Sequence, residues 1–306
     1  MKKNKKRNFI VLGIVIVLVA CITIMLFQVK GEKKEVVETD QNSYRYIKVD
    51  GKDYRYRTNL KTILFLGIDT TDETKNQGQS DAIDLAIFDR DQQKIKIISL
   101  SRDTMCKIRL FDSEGNDLGW DKQHLGLAYS YGKNRKHGGI LAKDAVSKLL
   151  SDVPLVNYTA FDLNSLQELQ DTIGDMPMVL DDDYIDINPL WKKGKKIVIN
   201  RDNVEEFVRS RNTSKDYSNK TRMQRQKLYI QTYINQLKTK LTNDYSTTLQ
   251  KMYNFYSKLT TNITLKEIDS YAEMILNYSI DNNEYYTLPG EDQKGELHDE
   301  FIVDQK

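Results

Sequence analysis

Three short runs rich in Ile, Leu and Phe, residues 63–68, 82–88 and 95–100, constrain most strongly what this chain can fold into. Such runs suit a buried sheet, where β-branched and aromatic side chains pack well. Each meets polar residues at one end: Asp69 after the first, Ser80 and Asp81 before the second, and Ser101, Arg102, Asp103 and Thr104 after the third. Loops at strand ends are where a rigid scaffold presents chemistry. Two carboxylates and an arginine can therefore meet at one sheet edge. The polar connection 89–93 between the second and third runs predicts an antiparallel hairpin.

Beyond residue 104 the periods alternate. Residues 112–121, with two glycines, read as a loop, and 138–152 place Ile140, Leu141, Ala145, Val146, Leu149 and Leu150 at helical spacing. That apolar face suits ordinary core or the wall of a lipid pocket. Strands are expected at 157–163 and 176–180, and helices at 165–173, 202–211 with Asp202 as N-cap, 221–241, 247–259 and 265–276. A last strand pair, 284–288 and 300–303, is expected to flank a turn-rich piece, and 44–49 reads as a short edge strand. Strands interspersed with helices predict an α/β fold, a mixed β-sheet sandwiched between helices.

Residues 9–28 are an uncharged apolar run of 20, preceded by Lys2, Lys3, Lys5, Lys6 and Arg7. That length crosses a bilayer core, and the flanking charges keep the N-terminus cytoplasmic and the remainder extracellular. A cleaved signal peptide would have a shorter apolar region. Leu18 to Cys21 also resembles a lipoprotein signal, but residues 22–27 continue the apolar run where a polar tether would begin. The expected organisation is a basic cytoplasmic tail (1–8), a single transmembrane anchor (9–28), an extracellular stalk (29–59) and one extracellular domain (60–306) at the cell membrane.

Outside the first 30 residues the chain carries 40 basic against 44 acidic residues, which does not suit a nucleic-acid binder. Within it, residues 192–227 hold twelve Lys or Arg and four acids. Such a run is a solvated basic face or a focused anion site. Beyond the anchor Cys106 is the one cysteine and the chain has three histidines, so a metal would be a hard cation held by oxygen.

Asp69 and Asp81 at neighbouring strand ends suit Mg²⁺, which takes one or two protein carboxylates plus water and phosphate oxygens. Strand-end aspartates also serve as turn and cap residues. Arg102 beside Asp103 is either a neutralised pair or an arginine oriented toward phosphate. Lys122 by itself carries no reading. Arg209 and Arg211 alternate in FVRSR and can reach one diphosphate. Arg222 and Gln226, four apart in TRMQRQ, share a helix face. Arg222 in a first helical turn opposes the dipole unless an anion is bound there.

In order, ILFLGID, QSD, LSRDT, DKQHLGLAYSYG, FVRSR, RMQRQ and YYTLPGE resemble the LytR-CpsA-Psr family over roughly residues 62–304. The resemblance implies a membrane-anchored, Mg²⁺-dependent phosphotransferase. Such an enzyme moves a glycopolymer, wall teichoic acid or a capsular polysaccharide, from a polyprenyl-diphosphate carrier to peptidoglycan, with an apolar pocket for the prenyl chain. By position Asp69 and Asp81 match the metal-associated aspartates. Arg102, Lys122, Arg209, Arg211, Arg222 and Gln226 match the diphosphate-binding residues, and Asp81, Arg102 and Asp103 are the candidate catalytic groups. The chain departs from the pattern at Gln79, His124 and Asn219, where the family commonly has Arg, Asn and Asp. Alternatives are a non-catalytic polyprenyl-phosphate-binding regulator of cell-wall status and a hydrolase of the same lipid-linked diphosphate.

Overall fold

Alternation along the central strands sorts apolar side chains onto two faces of one sheet, and both faces are covered. The computed structural model describes residues 46–49, 51–70, 78–212, 219–296 and 298–304. Its strands are β1 (Tyr46–Val49), β2 (Lys52–Arg55), β3 (Leu60–Ile68), β4 (Ser80–Asp89), β5 (Lys94–Leu100), β6 (Met105–Phe111), β7 (Asp117–His124), β8 (Asn157–Asp162), β9 (Met176–Val179), β10 (Lys196–Ile199), β11 (Thr260–Thr261), β12 (Tyr285–Thr287), β13 (Gly290–Lys294) and β14 (Asp299–Val303). Its helices are α1 (Arg135–Leu149), α2 (Leu163–Ile173), α3 (Val204–Arg209), α4 (Lys220–Asn243), α5 (Tyr245–Tyr256) and α6 (Leu265–Asn277). The described residues fall in one compact unit, 46–306. The expected anchor at 9–28 lies outside them; among the described residues no helix is long and apolar enough to cross a membrane.

The main sheet runs β11-β8-β3-β4-β5-β12. β4 is antiparallel to both β3 and β5, whereas β8 lies parallel to β3 and β12 parallel to β5. On one face Leu64, Leu66, Ile83, Leu85 and Leu100 pack with Leu125, Ala142, Ala145 and Val146. On the other, Ile63, Ala86, Phe88, Ile95 and Ile97 pack with Tyr271, Met274 and Tyr285. Burial on both faces is why these strands read as near-continuous apolar runs. The expected mixed sheet between helices is the observed one.

Helix α1 approaches β8 closely because Gly139 has no side chain: a Cβ there would lie 2.1 Å from the Tyr158 ring. Tyr158 is itself pinned, its hydroxyl donating to the Lys136 carbonyl at 3.0 Å. Gly139→Ala is therefore expected to destabilise the fold by about 1–3 kcal/mol, as overpacked cores do. Urea denaturation measures it.

Four local expectations are corrected. The segment 112–121 is not all loop, because β6 and β7 pair as a hairpin and only 112–116 turn. Strands β12 and β14 do not pair with each other: β12 joins the main sheet, and β14 pairs with β13, which occupies the piece read as turns. The third helix begins at Val204 after Asn203, not after Asp202, since the Asn200 and Asn203 side chains already organise that corner. Strand β1 pairs with β2 in its own hairpin instead of edging the main sheet.

Candidate functional site

One stripe of α4 changes character along its length. Arg222 and Gln226 stand near its N-terminus, followed one and two turns on by Ile230 and Ile234, with Tyr229, Tyr233 and Leu237 beside them. All seven line a cavity of about 320 Å³ between this helix and the sheet. The sheet contributes alternate residues, Ile63 and Phe65 from β3, Ala82, Asp84, Ala86 and Phe88 from β4, and Thr159 and Phe161 from β8. Helices α2, α5 and α6 close the far side. One end is charged, with Asp69, Asp81, Arg209 and Arg222, and the remainder is almost wholly apolar.

A β-bulge builds the charged end. Gly67 pairs with Ala82 but Ile68 pairs with Ser80, so Asp81 is an extra residue in β4. Strict alternation would turn Asp81 away from the face that carries Ala82; the bulge lets both line the cavity. Its carboxylate receives Arg102 at Oδ1 and Arg222 at Oδ2, the latter at 3.1 Å, while Arg222 also donates to the Asp81 carbonyl. Arg222 is 4 % exposed, and its Nε has no hydrogen-bond partner. Burial lowers the Arg222 pKa, Asp81 raises it, and neighbouring Arg211 and Arg102 lower it further. Buried cationic charge with a donor left over is an arrangement that an anion completes.

Asn219 ties the second half together. Placed before the first residue of α4, it makes no side-chain cap to the helix. It accepts from Arg211 Nη1 at 3.0 Å and donates through Nδ2 to Asp103. Asp103 also faces Arg102 Nε at 3.5 Å. Burial raises the Asp103 pKa, against lowering by Arg102, His124, Arg222 and Arg211. Asp69, just after β3, is joined to Gln79, just before β4, its Oδ1 accepting the Gln79 amide at 2.6 Å, while the Gln79 side chain accepts from Arg102.

The structure thus gathers Asp69, Asp81, Arg102, Asp103, Arg211 and Arg222 into one hydrogen-bonded group. Arg209 lines the cavity at its exposed rim and pairs with Glu205 at 2.9 Å. Gln226 lines it while donating to the Val208 carbonyl. Lys122 is not brought in: it stands exposed on β7 opposite Lys107, bonded to no member of the group and outside the cavity wall among the described residues. His124 bonds instead to the Asp299 carbonyl at 3.0 Å. The apolar face of α1 is core on the other side of the sheet except for Ile140, which is exposed, and only Leu149 and Leu150 of it edge a second hollow, whose lining carries no charge.

Sequence reasoning passed over Asp84, although a carboxylate interrupting Ala82, Ala86 and Phe88 on one strand face was a readable signal. It is 7 % exposed, accepting from the Ser99 and Tyr285 hydroxyls. Burial pushes its pKa up to about 6 from an ordinary 3.8. A carboxyl held above its unfolded value stabilises the fold while protonated and loses that contribution as pH rises from about 4 through 6. The loss is about 3 kcal/mol. Asp84→Asn is expected to melt higher than the parent at pH 8 and to remove this part of the pH dependence, read by thermal denaturation from pH 4 to 8.

The donors at the charged end fit a hard divalent cation of the Mg²⁺ kind in number and type. Among the described residues no group of three or more His, Cys, Asp or Glu gathers, but Mg²⁺ asks for only one or two carboxylates when phosphate and water supply the rest. Asp69 and Asp81 are the two carboxylates the charged end offers, with both Asp81 oxygens held by arginines in this structure.

A bulged aspartate held by two arginines at the polar end of an apolar cavity is the arrangement found here, and the LytR_cpsA_psr family profile matches residues 22–306. The chain belongs to the LytR_cpsA_psr family. An uncharacterized protein of Staphylococcus aureus is 26 % identical over 184 residues, 57 % of this chain and 41 % of that protein, so the chain spans about two fifths of that relative's length. B. subtilis TagV superposes with a TM-score of 0.61 at 20 % identity, covering 81 % of this chain and 92 % of TagV. A structure of TagT bound to LI-WTA superposes with a TM-score of 0.60 at 22 % identity, covering 81 % and 86 %. At these identities the likeness is one of fold.

Proposed function

We propose that this LytR_cpsA_psr protein is a membrane-anchored phosphotransferase. It would move a glycopolymer, wall teichoic acid or a capsular or other secondary wall polysaccharide, from a polyprenyl-diphosphate carrier to peptidoglycan. The observation that carries the reading is the join of an arginine-rich group to a long apolar cavity along one stripe of α4. A diphosphate on a hydrocarbon chain has that polarity. Family membership and the wall teichoic acid bound to the TagT relative support the same substrate class.

The chemistry is an in-line displacement. A sugar hydroxyl of peptidoglycan attacks the phosphorus bonded to the glycan, the bridging P–O bond breaks, and polyprenyl phosphate leaves with its electron pair. Such a step needs positioning and charge stabilisation more than covalent help. Arg102, Arg211 and Arg222 neutralise the equatorial and bridging oxygens, Arg209 at the rim holds the outer phosphate, and Gln226 marks where the chain turns into the cavity. Asp103, whose proton affinity burial increases, accepts the hydroxyl proton, and Asn219 fixes its orientation. A cation held by Asp69 and Asp81 would supply Lewis-acid stabilisation of the diphosphate.

The test incubates the full chain in detergent with a synthetic polyprenyl-diphosphate glycan and a peptidoglycan oligomer, with Mg²⁺ or EDTA, and reads products by mass spectrometry. A Mg²⁺-dependent phosphodiester conjugate, lost in Asp81→Ala, is expected. Free phosphoglycan would indicate the hydrolase, and lipid binding without turnover the regulator.

A further inference from the structure

The sheet face that floors the cavity is not apolar throughout. Strand register sets Thr159 of β8, Phe65 of β3, Asp84 of β4 and Ser99 of β5 side by side in one cross-strand row, and residues paired in this way share a face. Toward the charged end the next lining residues of these strands are Phe161, Gly67 and Ala82, and away from it they are Ile63, Ala86 and Ile97. A polar row thus crosses an apolar floor, about 7 Å inside the row of Gly67, since two residues of strand span that distance.

Two members of the row are left with bonding capacity that faces the cavity. Thr159 is 3 % exposed and lines the cavity, and its Oγ1 has no hydrogen-bond partner. Asp84 lines it as well. The Ser99 and Tyr285 hydroxyls both donate to Asp84 Oδ1, and among the described residues nothing donates to Oδ2. No cation offsets this carboxyl: burial and those two hydroxyls alone set its proton affinity, while Arg102 and Arg222 are engaged by Asp81. Groups in this state bond to water, and a hydrocarbon that takes the water's place leaves them unsatisfied at a cost in free energy. A cavity built only to hold a prenyl chain would carry Val and Leu at these two positions.

We infer that Thr159 and Asp84 are selectivity residues of the cavity, holding down its affinity for a lipid chain that reaches past Phe65 and so hastening the departure of the spent carrier, polyprenyl phosphate. The inference rests on the lipid-linked donor of the proposed function and deepens it. The apolar lining binds the chain, and the polar row keeps that binding short-lived. Neither residue belongs to the arginine group, so the row acts on the chain and not on the phosphate.

The test uses the full chain in detergent at pH 8 and two ligands with the same head, a long-chain polyprenyl phosphate and dimethylallyl phosphate, whose single isoprene unit stops short of the row. Titration gives affinities, and exchange of labelled for unlabelled lipid gives residence times. Thr159→Val, which removes the hydroxyl and keeps the shape, is expected to bind polyprenyl phosphate about tenfold more tightly. Asp84→Asn is expected to bind it up to about a hundredfold more tightly, the cost of neutralising at pH 8 a carboxyl whose pKa is about 6. Both variants release it correspondingly more slowly, and dimethylallyl phosphate binds all three chains alike. Variants that bind and release polyprenyl phosphate as the parent does, or bind it more weakly while holding dimethylallyl phosphate as before, overturn the assignment and leave the lipid cavity standing. A parent that holds the two ligands equally gains nothing from the chain, which overturns the lipid reading and this inference with it.

Discussion

Arg222→Ala is expected to lower glycopolymer transfer about 10²–10³-fold per folded molecule, since removing one preorganised donor from an anion site costs that much. Arg222 touches both Asp81 oxygen and carbonyl from the first turn of α4 and keeps a further N–H unspent. In the resting chain its charge is offset by Asp81, and in the proposed reaction it would be offset by phosphate. The loss belongs in kcat, because the charge on the bridging oxygen grows only as the bond breaks. Arg222→Lys keeps the charge but not the fork, and is expected to recover at most a tenth of the loss. Steady-state kinetics with the lipid-linked donor measure both. An Arg222→Ala chain that transfers at the parental rate would remove this residue from the site.

Ile230→Trp carries the second large effect. Ile230 lies one turn below Gln226 on the cavity wall, so an indole there fills the passage next to the charged end and leaves the arginines in place. Each carbon of a prenyl chain kept out of the cavity forfeits about 0.8 kcal/mol, hence about 4 kcal/mol for one isoprene unit. Affinity for a long-chain donor is expected to fall about 10³-fold, while a donor with a chain too short to pass residue 230 binds as before. Titration of both donors against the parent and the variant separates the cavity from the arginine group. Equal weakening of the two would mean that the chain does not lie there.

Much of the fold was readable because its signals are local. Runs 63–68, 82–88 and 95–100 are apolar on both faces, so their strands were unambiguous, and Gly174 marked the end of α2. Strand partners were not readable: β12 pairs with β5 across most of the chain, a choice made by the core around Tyr285. The candidate site was legible as a set of charged residues but not as a geometry. A bulge that aims Asp81 into the cavity leaves no mark in composition, since it is a register shift of one residue against Gly67 and Ile68. Asn219 stood out only as a departure from the family pattern, and its two-sided bridge between Arg211 and Asp103 needed coordinates. Lys122 shows the reverse, a motif position whose side chain the hairpin turns to solvent.

Phosphoryl transfer is defined by which bond breaks, so the most direct measurement follows the phosphorus. A donor carrying ³²P in the phosphate next to the glycan, incubated with the full chain, Mg²⁺ and peptidoglycan, is expected to place the label in the peptidoglycan as an acid-labile phosphodiester, with unlabelled polyprenyl phosphate released. Glycan arriving on peptidoglycan without the label, and ³²P retained on the lipid as diphosphate, would show cleavage at the sugar carbon and contradict phosphoryl transfer.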